Sequence, residues 1–300
     1  MIIAWQGWRL EVPDRWGPVR VEGDADAGYL LMADLHRPRL GMRWKVAGGK
    51  RFKAEVAVTA AVRQEVGQLA AQDARPLSMD GGNWQAPLLY EDDEPPGRDI
   101  CVAYSLTSGR IIELVYHAHH RDRVLTQRLL PTLVDTSRSE VWEWSIFDLS
   151  CRTPSGMVMA KHRLNAGDLS LSFTHKDGSA VTVRQLAMAK LALQRRPMER
   201  WIAEQAAWHG KQFKFGSSPV ESEGEPKRVR QQVVRRRRYG WAWWLAKGYT
   251  VLARHDQERD RLVIVDATDE ALASELMDTV GWASTKQTKG SMESMDTEED

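Results

Sequence analysis

The chain has 300 residues, of which 42% are hydrophobic and 28% are charged, and this composition supports one large or two ordinary soluble domains. The 42 basic and 41 acidic residues give a formal net charge of +1, so no global field attracts polyanions. No stretch has the length of a membrane span, and "MIIAWQGWRLEVP" lacks the basic region of a signal peptide. We therefore expect a cytoplasmic protein.

The first half begins with three runs that predict strands, "WRLEVP", "GYLLMADL" and "RLGMRWK". The next segment, "RFKAEVAVTAAVRQEVGQLAA", has apolar residues at helical spacing. Three more predicted strands follow, "NWQAPLLY", "DICVAYSL" and "RIIELVYHA". A helix over "DRVLTQRLLPTLVD", with Asp122 as its N-cap, ends a βββ-α-βββ-α unit.

The second half shows the same order of elements. The predicted strands are "EWSIFDLSCR", "DLSLSFTH" and "SAVTVRQ", followed by a helix that is interrupted near Pro197. An additional segment over 216–232 precedes three further strands, "RRRRYGWAWWLA", "YTVLARH" and "RLVIVDA". The last predicted helix, "DEALASELMDTVGWA", has Asp269 as its N-cap.

A shift of 139 positions places Trp5 on Trp144, and "DAGYLL" on "NAGDLS". This alignment assigns Gly28 and Gly167 to one hairpin turn. A match of "WQAPLL" with "WAWWLA" also aligns Trp84 with Trp241. We predict an α+β fold of two tandem repeats, each an antiparallel sheet with packed helices, over 1–140 and 141–283, and a disordered acidic tail over 284–300.

The order of elements, and motifs such as "WRLEVPDRW" at the opening of a unit, resemble the PsbP-like family, once in each half. The resemblance implies an α/β/α sandwich around an antiparallel sheet. It also implies a binding, assembly or accessory role, and the family offers no catalytic residues to assign to this chain.

One metal-site candidate occurs at "YHAHHRD", where His117 and His119 share a face of a predicted strand and Asp122 could add an oxygen ligand. The alternative is a strand end with solvent-facing histidines. Because the ligand set is incomplete, we expect no metal and no cofactor, and an enzymatic function would have to use this cluster. Cys101 and Cys151 lie in apolar stretches, which predicts buried, inert thiols.

A basic segment is the main candidate for a binding site. Its residues are Lys227, Arg228, Arg230, Arg235, Arg236, Arg237 and Arg238, and Tyr239 follows them. In a strand over Val233–Leu245, anchored by Trp241 and Trp243, the arginines would alternate between faces. Because unpaired buried charge is strongly unfavourable, we expect them at or beyond a sheet edge.

Three interpretations of this segment are open: a solvated edge, a docking site for a protein, or a phosphate-binding surface on which Tyr239 stacks a base. We expect a non-catalytic accessory protein that contacts a protein partner through this segment. Nucleic-acid binding is the alternative, and a metal-dependent enzyme is the third hypothesis.

Overall fold

The computed structural model describes residues 1–48, 52–79, 84–92, 97–117, 123–202, 214–217, 221–223, 228–236 and 249–282. Half of the structure is strand, arranged in three antiparallel sheets with few helices. The predicted α+β class of PsbP-like repeats with packed helices is therefore wrong. Strands dominate because most apolar segments are short and alternate in polarity, which suits a sheet and not a helix.

Prolines shorten two of the predicted helices. The predicted helix over 122–135 is reduced to two successive helical turns, Leu125–Leu129 and Leu130–Thr132, and Pro131 lies in the second turn. In the second half, a helix ends at Arg195, close to Pro197. A proline disfavours the helical conformation of the residue before it and removes a backbone donor, which accounts for both interruptions.

The first half contains, in chain order, β1 (Ile2–Trp5), β2 (Trp8–Glu11), β3 (Gly17–Gly23), β4 (Ala27–Ala33), β5 (Pro38–Val46), α1 (Ala54–Val66), a 3₁₀ turn (Ala70–Gln72), β6 (Arg75–Pro76), β7 (Trp84–Tyr90), β8 (Arg98–Ser105), β9 (Arg110–His117), the two helical turns named above, and β10 (Val134–Asp135). Helix α1 buries Val58, Ala61 and Val62 at helical spacing and ends at Gly67, whose φ is +85°.

The second half contains β11 (Val141–Ile146), β12 (Leu149–Pro154), β13 (Val158–Asn165), β14 (Asp168–Thr174), β15 (Ala180–Ala187), α2 (Ala189–Arg195), β16 (Lys214–Ser217), β17 (Glu221–Glu223), β18 (Arg228–Arg236), β19 (Tyr249–Asp256), β20 (Arg261–Ala267), α3 (Glu270–Thr279) and β21 (Gly281–Trp282). Residues 198–202 are also helical.

The predicted N-cap of the last helix is confirmed, because the Asp269 side chain accepts a hydrogen bond from the Leu272 amide. No helix in the described ranges is long and apolar enough to cross a membrane.

The two flanking sheets have the same strand order. The first sheet runs β3-β4-β5-β9-β8-β7-β6, and the second runs β13-β14-β15-β20-β19-β18-β16, with β17 also paired to β18. A third, central sheet runs β10-β2-β1-β11-β12-β21 and takes half of its strands from each part of the chain. The predicted boundary at 140/141 therefore falls between strands that end up in one sheet, and the predicted tail over 284–300 lies outside the described residues.

Strand registers define which residues of the two halves are equivalent. Val46 pairs with Arg110 across β5 and β9, and Ala187 pairs with Arg261 across β15 and β20. The Val46 amide donates to the Asp26 carbonyl at 2.6 Å, as the Ala187 amide donates to the Gly167 carbonyl at 2.9 Å. Residue 46 thus corresponds to 187, a shift of 141 positions and not the predicted 139.

The shift of 141 also relates the hairpins of the central sheet. Gln6 and Phe147 begin the two hairpin turns with φ of 52° and 53°. Ala4 pairs with Ser145 in the β1–β11 ladder, and these two residues are themselves equivalent. An approximate two-fold axis therefore passes between β1 and β11, in the manner of an isologous dimer interface.

Three predicted correspondences are corrected by this shift. Trp5 and Trp144 lie on equivalent strands but two positions out of register, and their rings pack edge to face with centroids 5.7 Å apart. Gly167 has a φ of +80° in its turn, whereas Gly28 lies within β4 and the positive φ of that hairpin belongs to Gly23.

The third correction concerns Trp84. Leu88 on β7 pairs with Val102, and Val229 on β18 pairs with Ala253, so β18 is the equivalent of β7. Trp241, the predicted match, lies outside the described residues. The predicted insertion over 216–232 includes β17 and much of β18.

One hydrophobic core joins the two halves. It includes tryptophans of the central sheet and apolar residues of both flanking sheets.

Candidate functional site

Strand β18 carries part of the predicted basic segment: Arg228, Arg230, Arg235 and Arg236. Lys227, Arg237, Arg238 and Tyr239 lie outside the described residues. The strand is bordered by β19 on one side and by β16 and β17 on the other, so it is not the edge strand that the charge pattern predicts. The predicted strand over Val233–Leu245 instead begins at Arg228.

The ladder registers divide this basic segment into two parts. In the first part, Arg228 pairs with Glu223 and Arg230 pairs with Glu221. The Arg230 guanidinium also lies 2.5 Å from a carboxylate oxygen of Glu270 on α3.

In the second part, the register places Arg235 opposite Phe215 and Arg236 opposite Lys214. The pairing of β18 with β19 ends at Val233 and Tyr249. Acidic residue types therefore lie opposite the first part of the segment, whereas the second part has an apolar and a basic neighbour on β16.

The predicted histidine cluster is only partly described. His117 is the last residue of β9, and burial together with the nearby Arg98 lowers its pKa. His119 and Asp122 lie outside the described ranges. Within those ranges, no group of three or more His, Cys, Asp or Glu residues could hold a metal ion.

Both cysteines are free and buried, which confirms the prediction of buried thiols. Burial raises the pKa of Cys101 and of Cys151 to about 12. Because the thiolate is the nucleophilic form, neither side chain is activated for covalent chemistry at neutral pH.

A buried guanidinium occupies the centre of the first half. The side chain of Arg110 is only 2% exposed and lies over the Trp8 ring, 4.1 Å from its centroid. Its Nη1 donates to the carbonyls of Gln6, at 2.7 Å, and Ala25, at 2.9 Å. Arg110 thereby connects two hairpin turns to the start of β9 through hydrogen bonds.

Asp135 on β10 completes this cluster. Its Oδ1 is 3.3 Å from Arg110 Nη2 and accepts from the Ser137 amide, while its Oδ2 accepts from the hydroxyls of Ser105 and Ser108. Burial alone would raise the pKa of Asp135, but these hydrogen bonds lower it below its ordinary value. The aspartate therefore stays ionised beside Arg110.

An open cleft of about 170 Å³ lies at the equivalent place in the second half. Its polar lining consists of Asp148, Asn165, Gln185 and Arg261. Asp148 Oδ1 accepts from Gln185 Nε2 at 2.8 Å, and its Oδ2 accepts from Arg261 Nε at 2.9 Å. Gln185 is 3% exposed, and its Oε1 is buried without a hydrogen-bond partner among the described residues.

The sequence analysis did not select these residues. One signal was present, since Arg110 and Arg261 each follow a turn and open an apolar strand, "RIIELV" and "RLVIVD". Their importance depends on partners that are distant in the chain, such as Gln6 and Asp148, and a single sequence does not indicate these pairs. No protein-family model matches the chain, and no curated protein matches it.

Proposed function

We propose that the protein is a non-catalytic accessory protein that binds an acidic surface of a partner protein. The contact uses Arg235 and Arg236 of the second part of the basic segment, together with Arg237 and Arg238, which follow them in the sequence. The observation that supports this assignment is the register of β18, in which Arg228 and Arg230 have acidic residues opposite them and Arg235 and Arg236 do not.

Arginine suits this role because its planar guanidinium donates paired hydrogen bonds to carboxylates. Strand β18 also presents Arg235 and Arg236 at fixed spacing, which favours recognition of a shaped surface. The tyrosine at position 239 and the arginines would also suit a single-stranded nucleic acid, so the experiment must separate the two partners.

The test compares the full chain with a variant in which Arg235, Arg236, Arg237 and Arg238 are changed to alanine. A matched variant changes Lys190, Arg195, Arg196 and Arg200 to alanine, which removes the same formal charge from the α2 region. Each protein is used to recover partners from its native lysate with and without nuclease. We expect the wild type and the matched variant to retain one specific partner after nuclease treatment, and the first variant to lose it.

Nucleic-acid binding predicts a different result. The wild type would then bind arbitrary single-stranded oligonucleotides at physiological salt, and its affinity would fall with a logarithmic salt slope of about −3 if four phosphates are neutralised. Release of all partners by nuclease, together with such a slope, would contradict the proposal. Unchanged partner recovery by the Arg235–Arg238 variant would also contradict it.

A further inference from the structure

The cleft of the second half lies where the first half holds the guanidinium of Arg110. Its lining residues Phe147, Ala166 and Arg261 are the equivalents of Gln6, Ala25 and Arg110. In the first half, the carbonyls of Gln6 and Ala25 accept hydrogen bonds from Arg110, which fills this space. The first half therefore shows which chemical group these positions accommodate.

Two substitutions between the halves account for the open space. Gly7 is replaced by Asp148, whose carboxylate binds Arg261, and Arg261 is 29% exposed where Arg110 is 2% exposed. Trp8, on which Arg110 stacks, is replaced by Leu149, which has no aromatic face. The arginine of the second half is thus held outward, at the rim of the cleft.

Three hydrogen-bond acceptors without a donor are left at this position, beside the side chains of Asn165 and Arg261 at its lining. No described group donates to the carbonyls of Phe147 and Ala166. Gln185 donates its Nε2 hydrogen to Asp148, which orients Oε1 as the third acceptor, and no described group donates to it. A buried acceptor without a donor is unfavourable, so the site favours a ligand that brings several N–H groups.

We propose that this cleft binds the guanidinium or amidinium head of a small organic cation, in the position that Arg110 takes in the first half. Phe147, Leu169 and Ala187 supply an apolar lining for the first carbons of the ligand. Asp148, which is 42% exposed and paired with Arg261, supplies a carboxylate at the mouth that the ligand would share with Arg261. A cleft of about 170 Å³ has the volume of roughly five or six water molecules, so it admits the head of the ligand and a short chain.

The test titrates butylguanidinium into the labelled full chain and follows the backbone amide signals of Ala166 and Gly167 by NMR. The matched ligand is butylurea, which has a similar planar head but no charge. We expect saturable shifts at these amides with butylguanidinium, and binding of butylurea that is weaker by at least about tenfold, since a charge-assisted hydrogen bond contributes at least that factor.

Variants separate the site from general attraction of cations. Asp148→Asn should weaken butylguanidinium binding by about tenfold or more, and Gln185→Met, which removes the buried acceptor at nearly constant size, should also weaken it. Glu258→Gln removes an equal charge from the turn before β20 and should leave the affinity unchanged.

Three results would overturn the proposal. They are the absence of saturable shifts at Ala166 and Gly167, equal affinity for butylurea, and equal affinity of the Asp148→Asn and Glu258→Gln variants. None of these results depends on the partner contact proposed for Arg235 to Arg238, so the two proposals are tested independently.

Discussion

Arg110 and Arg261 are equivalent residues in very different surroundings. Arg110 is buried with Asp135, the carbonyls of Gln6 and Ala25, and the Trp8 ring, whereas Arg261 pairs with Asp148 at the rim of an open cleft. Burial lowers the pKa of Arg110, although Asp135 acts in the opposite direction. The same residue type therefore connects distant segments in one half and forms a partly exposed ion pair in the other.

The difference should appear in stability. Arg110→Met leaves Asp135 ionised and buried without its counter-ion, and we expect the free energy of unfolding to fall by about 3–5 kcal/mol. Arg261→Met removes a half-exposed pair, for which the expected loss is below about 1 kcal/mol. Urea unfolding of both variants measures the two values, and equal losses would contradict the assigned roles.

For single residues, the confirmed predictions are those that depend only on neighbours in the sequence. The buried state of Cys101 and the cap formed by Asp269 follow from the residues beside them in the chain. The role of Arg110 depends on Gln6, Ala25 and Asp135, which are far from it in sequence. A buried charge is exceptional, and composition and spacing give no reason to expect one at a particular arginine.

At the scale of elements, helix α1 is attached to its sheet by both apolar and charged contacts. Val58, Ala61 and Val62 pack on the residues of β8 and β9. Beside them, Arg43 on β5 bonds to Glu65 on α1 at 3.0 Å and to Glu113 on β9 at 2.9 Å. Burial, with the charge of Glu65, raises the pKa of Glu113 to about 7 and outweighs the effect of Arg43.

The raised pKa of Glu113 makes stability depend on pH. Between about 4.5 and 7, the folded chain holds a proton that the unfolded chain releases, so stability should decrease as pH rises through this window. Glu113→Gln should flatten this dependence and stabilise the protein at pH 8 by up to about 3 kcal/mol. The measurement is urea unfolding from pH 4 to 8, with the exposed Glu275→Gln as control. An unchanged profile would show that Glu113 titrates normally.

Many predicted strands were confirmed, but β1, β3 and β13 were not predicted, and the single predicted strand "EWSIFDLSCR" is the hairpin of β11 and β12. Alternation identifies strands such as β5, where Leu40, Met42 and Trp44 are buried. The position of β18 inside its sheet depends on β16 and β17, which are short and polar and show no alternation. The arginine run alone favoured an edge, because the sequence does not reveal these neighbours.

At the scale of the whole molecule, the two halves share one sheet and one core. Strands β1 and β11 pair across the approximate two-fold axis, and Trp144 contacts both Trp5 and Phe173, with ring centroids 5.7 and 4.8 Å apart. Sequence comparison found a repeat but placed it two residues out of register in the central sheet. Strand pairing specifies the register, and pairing between distant segments is not readable from one sequence.

The pairing of equivalent strands is the central claim, and one engineered disulfide tests it most directly. Ala4 and Ser145 face each other in the β1–β11 ladder, at a separation typical of antiparallel neighbours and compatible with a disulfide. Under mild oxidation, the chain with Ala4→Cys and Ser145→Cys should form an intramolecular disulfide, detected by its mass and by its mobility without reductant. Both double variants also carry Cys101→Ala and Cys151→Ala, because positions 4 and 145 are as buried as the native thiols and only the new pair should be able to cross-link. The control pair Ala4→Cys and Ile146→Cys places the second thiol on the opposite face of β11 and should stay reduced. Free thiols at positions 4 and 145, or equal cross-linking of the control, would contradict the account.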